Sequence, residues 1–493
     1  MQNMPVIKLG IVAVSRDCFP ISLSRRRRAE VVRRFQDAGG EIYEAQTTIE
    51  NENDTMVALA ELKEAGVNAL VVYLGNFGPE GPETLLAQAF EGPSMFVAAS
   101  EENTAVLSSD RGDAFCGMLN ASYNIGLRGI HPYIPEYPVG TPAEVSAKIA
   151  EFIPIARVLI ALKKLKIFSF GPRPYDFLAC NAPIAPLFKL GINIQENSEL
   201  DLYDAYLKHK DDPRIEAVAK EMAEELGGGN KMPGVLPRLA QYELTLMDWA
   251  EQNKGAAEYF VFANKCWPAF ESFFGFVPCY VNSRFTARGI PISCEVDIYG
   301  ALSEYIGSCV TESSVTLLDI NNTVPADMYG ANIQNAYPYS AKEVFMGFHC
   351  GNTPIDRLVD GAMKYQLIMK RSLEPDGEPD ITRGTLEGDI QPGPITFYRL
   401  QGSADGELRG YIAQGEVLPV KTNSFGGIGV FGIHEMDRFY RHVLIAKRYP
   451  HHGAVAFGHI GKTLFAIMKL LGVPDVAFNQ PRGMLYATEN PFA

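Results

Sequence analysis

Two acids close short apolar runs: PISC stops at Glu295 and SVTLL stops at Asp319. Gly300–Cys309 between them has helical character, so Pro291 to Asn322 reads as strand, helix, strand with a carboxylate ending each strand. In an open parallel sheet, ligands sit beyond the carboxyl ends of the strands, and parallel neighbours put those ends on one edge. Glu295 and Asp319 then either face one ligand or serve as ordinary loop and capping acids. An imidazole sharpens the first alternative. The tail PHHGAVAFGHIG supplies His451, His452 and His459 where a β-type run gives way to a helix. Carboxylates with imidazole suit Mn2+, Fe2+, Co2+ or Zn2+, and carboxylate-rich sets lean toward Mn2+. The spacing is not HExxH, so such a site is non-local, and histidines beside glycine also pack or cap.

Other chemistry has weaker support. No GxSxG elbow occurs, and His349 beside Cys350 in FHCGN does not by itself give a nucleophile–base geometry. Lys265 in NKCWP is a base or, more in keeping with its type, a surface or packed cation, and Trp267 is a core residue. Arg16, after the first strand, clamps sugar hydroxyls or closes a surface salt bridge. The loop with Asn76 and Phe77 follows another strand end and can line a pocket, but neither loop is a GxGxxG or phosphate-binding pattern. Arg25–Arg28 form an anion site or, because consecutive side chains splay round a helix, a solvated face.

The elements that must position these residues fall into three parts. Over 1–163, candidate strands Val6–Val14, Glu41–Ala45, Ala69–Leu74 and Met95–Ala99 alternate with helices Ser24–Ala38, Asp54–Ala65 and Pro82–Phe90, a doubly wound α/β pattern. After the helix Pro142–Leu165, a second doubly wound α/β domain runs over 164–345 and carries the two acids. Over 346–493 a helix Ile355–Met369 and a polar loop Glu374–Glu378 precede β-type runs at Pro394–Leu400, Glu407–Gly415 and Glu416–Val420. Glycine punctuation there predicts antiparallel strands with tight turns, hence a β-rich, barrel-like domain, before a final helix His459–Leu471.

Composition narrows the class. The 493 residues are 47% hydrophobic and 21% charged, as in ordinary globular proteins, and suffice for roughly three domains. A net charge of −14 argues against nucleic acid as partner. No apolar run approaches a membrane span, and the N-terminus lacks a signal-peptide pattern, so the expectation is a cytoplasmic protein without membrane contact. The eight cysteines are scattered without a CxxC pair and are expected to be reduced, buried, small hydrophobic residues rather than a thiolate metal site.

At Glu295, Asp319 and the histidine tail the chain resembles the L-fucose isomerase and L-arabinose isomerase superfamily, nearer the fucose isomerase side. The similarity is spread over GPRPYDF, ENSELDLYDA, NKCWP, CEVDIYGAL, LLDINN, FHCGN, TNSFGGIG and HHGAVAFGHIG. The 24-position separation of Glu295 and Asp319 matches the family's metal-binding acids. His452 falls at the third ligand, with His451 the alternative one register away. The resemblance implies an Mn2+-dependent aldose–ketose isomerase, working on an open-chain aldose through a cis-enediol with Glu295 and Asp319 as catalytic acids. It also implies a hexamer whose active site borrows the first domain of a neighbouring subunit. Arg16 resembles the family's N-terminal substrate-contacting arginine, Cys350 falls near a pocket serine, and Gly75–Phe77 lacks the family's tryptophan. Arg16, Asn76, Phe77, His349, Cys350 and His451 are accordingly assigned to the substrate. The familiar sugars are L-fucose, D-arabinose and L-arabinose, with an anionic hexose such as a sulfosugar a further option should Arg16 and Arg25–Arg28 approach the pocket. A non-catalytic sugar-binding protein with two α/β lobes is the competing reading.

Overall fold

The computed structural model describes residues 3–368 and 382–492 and resolves into two compact units, Pro5–Ile160 and Met1–Met4 with Ala161–Ala493. The expected loop Glu374–Glu378 lies outside the described residues.

In Pro5–Ile160, five parallel strands, β1 (Leu9–Val14), β2 (Tyr43–Ile49), β3 (Ala69–Leu74), β4 (Ser94–Ala99) and β5 (Val139–Gly140), lie in the order β2-β1-β3-β4-β5. The helices are α1 (Ile21–Asp37), α2 (Glu52–Glu64), α3 (Glu80–Ala89), α4 (Ala114–Arg128) and α5 (Pro142–Leu162). β1, β3 and β4 are apolar but for Ser94 because helices cover both faces of such a sheet, and every residue in them is buried. Strand order reverses between β1 and β3, so the loops at Ser15 and Gly75 flank the sheet's switch point. Asn51 caps α2 in a reciprocal box with Asp54, which fixes where that helix begins.

The second unit joins two sheets. β6 (Leu165–Gly171), β7 (Asn193–Ser198), β8 (Tyr259–Ala263) and β9 (Ile292–Ser293) form a parallel sheet ordered β7-β6-β8-β9. The Asn3 side chain donates to Phe260 O at 2.7 Å and Gly289 O at 3.0 Å, which ties the first residues to this unit. The remaining strands are β10 (Val315–Thr323), β11 (Val344–His349), β12 (Leu358–Tyr365), β13 (Arg383–Ile390), β14 (Gly393–Gly402), β15 (Leu408–Leu418), β16 (Gly427–Gly432), β17 (His452–Ala456) and β18 (Asp475–Phe478). They form a nine-stranded mixed sheet, and an added β15–β16 pairing closes β10, β11, β16, β15, β14 and β17 into an antiparallel ring. Phe345, Phe397, Tyr411 and Phe431 belong to its buried core. The fold is thus α/β with parallel sheets followed by a β-rich barrel, as the sequence predicts.

Four local expectations are corrected. β9 and β10 are not parallel neighbours: β9 ends the parallel sheet, whereas β10 runs antiparallel to β11 and β17 in the barrel, with Asp319 inside the strand rather than at its end. The expected helix Ile355–Met369 contains β12 instead. Pairing with β13 overrides its helical periodicity, with a register shift across Val359–Ala362 where Asp360 takes φ 52°. Arg25–Arg28 are not an open anion site, and only half of them form a solvated face, Arg25 and Arg26 being exposed. Arg27 and Arg28 are buried and paired with Glu101 at 2.7 Å and Glu44 at 2.8 Å, Arg25 donates to Thr48, and Arg26 pairs with Asp110. All eight cysteines are free, but Cys18 and Cys116 are exposed rather than buried.

Candidate active site

Glu295 follows β9 on a turn in which Val296 takes φ 60°, a conformation that costs a β-branched residue roughly 1–3 kcal/mol and persists only where its surroundings impose it. Asp319 arrives from the barrel. In the ladder between β10 and β17 it is the register partner of His452. One imidazole therefore meets both acids: His452 Nε2 lies 3.5 Å from Glu295 Oε2 and 3.3 Å from Asp319 Oδ1. Those two carboxylate oxygens are buried and have no hydrogen-bond partner among the described residues. Orphaned buried oxygens are costly unless something binds them.

The other face of the ring is already held. His452 Nδ1 is 2.9 Å from Asp297 Oδ2, and Cys180 Sγ is 3.5 Å from the same nitrogen. Asp297 accepts both guanidinium nitrogens of Arg399 at 2.8 Å, and its Oδ1 also accepts from Gly300 N at 2.8 Å to cap the helix Ile298–Thr311. Arg399 Nε in turn donates to Gln401 at 2.6 Å. The chain Gln401, Arg399, Asp297, His452 fixes the imidazole with Nδ1 toward the acid and Nε2 toward Glu295 and Asp319. This carboxylate–imidazole pairing is the usual support behind a metal-ligating histidine.

Burial dominates the electrostatics. It pushes Glu295 up to about 7 against the pull of His452, and Asp319 up to about 6. It also pushes His349 down to about 3 and His451 down to about 4, so both rings are neutral. Burial opposes ionisation of Asp297 too, but the Arg399 guanidinium and His452 hold its carboxyl well below the usual range.

The structure brings together Glu295, Asp319, His452, His451 and His349. Glu295 with His349 and His452, and Asp319 with His451 and His452, form two triads whose ligand atoms lie within 4.8 Å of one another. His451 Nε2 is 3.8 Å from Asp319, and its ring packs edge-on against Phe177 at 5.6 Å. Cys350 follows His349 at the end of β11. Arg16, Asn76 and Phe77 gather separately at the switch point of Pro5–Ile160. Asn76 uses its amide on Ser15 Oγ at 2.8 Å and its carbonyl on Arg16 N at 3.1 Å, so it braces the two loops. Arg16 pairs with Glu80 at 3.3 Å and lies over the Phe77 ring at 4.9 Å. Lys265 is buried against Glu199 at 2.8 Å, a packed cation. His459 Nε2 donates to Gly415 O at 3.0 Å, outside these triads.

Sequence reasoning missed Asp297, Arg399, Cys180 and Phe177. Signals existed for two. Asp297 stands three residues before Gly300 in a capping position, and Arg399 is a lone charge inside the apolar run ITFYRL.

Two family models match the chain: "Fucose/sulfoquinovose isomerase, N-terminal domain" over residues 10–163 and "L-fucose isomerase, C-terminal domain" over residues 347–478. The chain belongs to the fucose isomerase-like superfamily. It is an aldose–ketose isomerase by that membership, which sets aside the non-catalytic sugar-binding alternative. It is similar to a sulfoquinovose isomerase of Alkalicoccus urumqiensis, 24% identical over 369 residues, 72% of this chain and 74% of the relative. A sulfoquinovose isomerase of Priestia aryabhattai is 25% identical over 364 residues, 72% and 73% of the two chains, and one of Clostridium sp. (strain MSTE9) is 24% identical over 344 residues, 68% and 70%. Among the described residues of this superfamily member, no helix is long and apolar enough to cross a membrane.

Proposed function

We propose that this sugar isomerase is a divalent-metal enzyme that interconverts a sulfonated aldohexose, sulfoquinovose, with its ketose through a cis-enediol. One observation carries the metal part: a single imidazole nitrogen faces two orphaned carboxylate oxygens while the opposite nitrogen is fixed by Asp297. An oxygen-rich set with one nitrogen and no thiolate fits Mn2+. Glu295, Asp319 and His452 would hold the ion. When bound, it supplies Lewis-acid polarisation of the sugar's O1 and O2, which acidifies the proton on C2.

The remaining work falls to the chain. Glu295 and Asp319, the two carboxylates that meet at His452 Nε2, would take a proton from C2 and return it to C1. His349 and His451, neutral and beside them, offer ring nitrogens to the sugar hydroxyls, and Cys350 lies next to His349 on the same strand end. The relatives' names support the sulfonated sugar, and the C-terminal model's description keeps L-fucose as the second candidate.

The proposal includes the three-part division at 163 and 345, supported by models that end at 163 and begin at 347, with the second part lending β10 and the start of β11 to the barrel of the third. It also includes a cytoplasmic homo-hexamer in which Arg16, Asn76 and Phe77 of a neighbouring copy meet the sugar. The test is an assay of metal-stripped protein, with and without Mn2+, on neutral, deoxy and sulfonated aldoses in D2O. Mn2+-dependent interconversion with deuterium at C1 or C2 is expected, and Glu295→Gln should abolish the exchange. Retained exchange in that variant overturns the role of Glu295.

A further inference from the structure

Sulfoquinovose carries a permanent negative charge at C6, far from the carbons that react. If that sugar is the substrate, a protein of net charge −14 has to hold this sulfonate with N–H donors or a cation, and a cation also offsets the surrounding negative charge. This inference rests on the reading above.

Most cations that the site or the sequence would nominate are already engaged. Arg399 is spent on Asp297, Lys265 on Glu199, and Arg27 and Arg28 on Glu101 and Glu44. Arg16 pairs with Glu80 and stacks on Phe77. Arg173 differs. It is half-buried and, among the described residues, enters no hydrogen bond or ion pair.

Its segment is anchored to the site at both ends. At Gly171 the backbone approaches the turn after Glu295 so closely that a Cβ there would lie 3.3 Å from Val296 Cγ1. At Phe177 the ring packs on His451 at 5.6 Å and on His452 at 5.9 Å, with Trp267 behind it at 6.4 Å. Arg173 lies two residues past the first anchor, so its α-carbon is within about 7 Å of that of Gly171. It stands between Pro172 and Pro174, whose rings fix their own φ angles and disfavour a helical conformation at the residue between them. The backbone that carries the guanidinium is thereby restricted before ligand arrives, which lowers the ordering cost of binding. A guanidinium presents a planar fork of donors that matches the oxygens of a tetrahedral oxyanion better than an ammonium does.

We propose that Arg173 is the specificity-determining residue that takes the sulfonate of the sugar. It stands at the rim of the Glu295–Asp319–His452 site and acts on substrate choice, not on the proton transfer.

The test is calorimetric binding of sulfoquinovose and of its 6-deoxy analogue, which lacks the sulfonate, to Mn2+-loaded parent, Arg173→Gln, Arg173→Lys and Arg16→Gln. The parent is expected to prefer the sulfonated sugar. Arg173→Gln should lose that preference at least tenfold while its affinity for the deoxy sugar stays within threefold, and Arg173→Lys should keep an intermediate preference. Arg16→Gln, at a residue proposed to meet both sugars, should weaken the two alike and leave their ratio in place. Undiminished discrimination in Arg173→Gln, its disappearance in Arg16→Gln alone, or no preference in the parent overturns the assignment. Should Arg173→Gln fail to fold, Arg173→Lys decides, a preference equal to the parent's being the refuting result. Isomerisation is scored separately. A parent that interconverts neutral sugars without sulfonate preference keeps the isomerase reading and refutes Arg173, whereas Arg173-dependent binding without interconversion refutes only the choice of sulfoquinovose as substrate.

Discussion

Asp297→Asn isolates the support behind His452. The amide keeps Oδ1, so it still caps Gly300 N and still accepts one Arg399 nitrogen, but it replaces Oδ2 with a donor. That donor faces Arg399 Nη1 and His452 Nδ1, which stand at 2.8 and 2.9 Å from Oδ2. The conflict with Nδ1–H is relieved when the imidazole changes tautomer, Nδ1 accepting from Asn and Nε2 taking the proton. Nε2 is the nitrogen that faces Glu295 and Asp319, so its lone pair is withdrawn from the ion proposed to bind there. Loss of such an outer partner costs roughly 10–100-fold in metal affinity, about 1.4–2.7 kcal/mol. Arg399, fully buried, also loses its counter-charge, and breaking a buried pair costs about 3–5 kcal/mol of stability. Gln401 and the Asp297 position's remaining oxygen still accept from Arg399, which places the expected loss toward the lower figure. Mn2+ titration calorimetry, alongside urea unfolding of metal-stripped protein, reads the two effects independently. A folded variant that binds Mn2+ within threefold of the parent refutes the argument that Asp297 sets the ligand tautomer.

Two further outcomes follow from packing and burial. Burial pushes Glu304, which partners Ser293, up to about 8 from 4.5. Below 4.5 the carboxyl is protonated in both folded and unfolded chains; as pH rises to 8 the unfolded chain gives up its proton first, so native stability falls, by up to about 5 kcal/mol. Glu304→Gln should therefore gain on the parent in urea midpoint between pH 5 and 8, and parallel midpoints would contradict the buried neutral carboxyl. Gly453→Ala places a Cβ 2.0 Å from Phe397 Cε1 and 2.5 Å from Tyr411 Oη beside His452. It should lower stability by about 1–3 kcal/mol and weaken Mn2+ binding, and parental melting together with parental affinity would show that this contact does not position the ligand.

Much of the candidate site was legible because it resides in residue types: two separated acids and a histidine tail are the groups that the fold brings together. Their scaffold was read wrongly for a physical reason. A short apolar run such as Ile292–Ser293 or Val315–Leu318 says that a strand is buried, not which sheet it joins or in which direction its neighbours run. The supporting partners were illegible because they are non-local. Asp297 and Arg399 are 102 positions apart, and Asp297 and His452 are 155 apart, so they meet only once the barrel closes. β12 was read as a helix for the same reason, since only β13 beside it makes it a strand.

Chemistry and substrate choice therefore rest on elements of different stiffness. Asp319 and His452 share a rung of the β10–β17 ladder, so their spacing is set by backbone hydrogen bonds on the barrel. A slip of one residue in that ladder would put His451 on the rung and turn every following side chain of β17 to the opposite face. The register thus decides between the two adjacent histidines in a way that their neighbouring positions in the chain could not. Glu295, by contrast, comes from a turn at the end of another sheet, and Arg173 and Phe177 from the irregular segment after β6. A change of sugar is then expected to be absorbed by those connections while the Asp319–His452 rung stays, because altering a connection disturbs few backbone pairs and altering the rung disturbs the whole barrel.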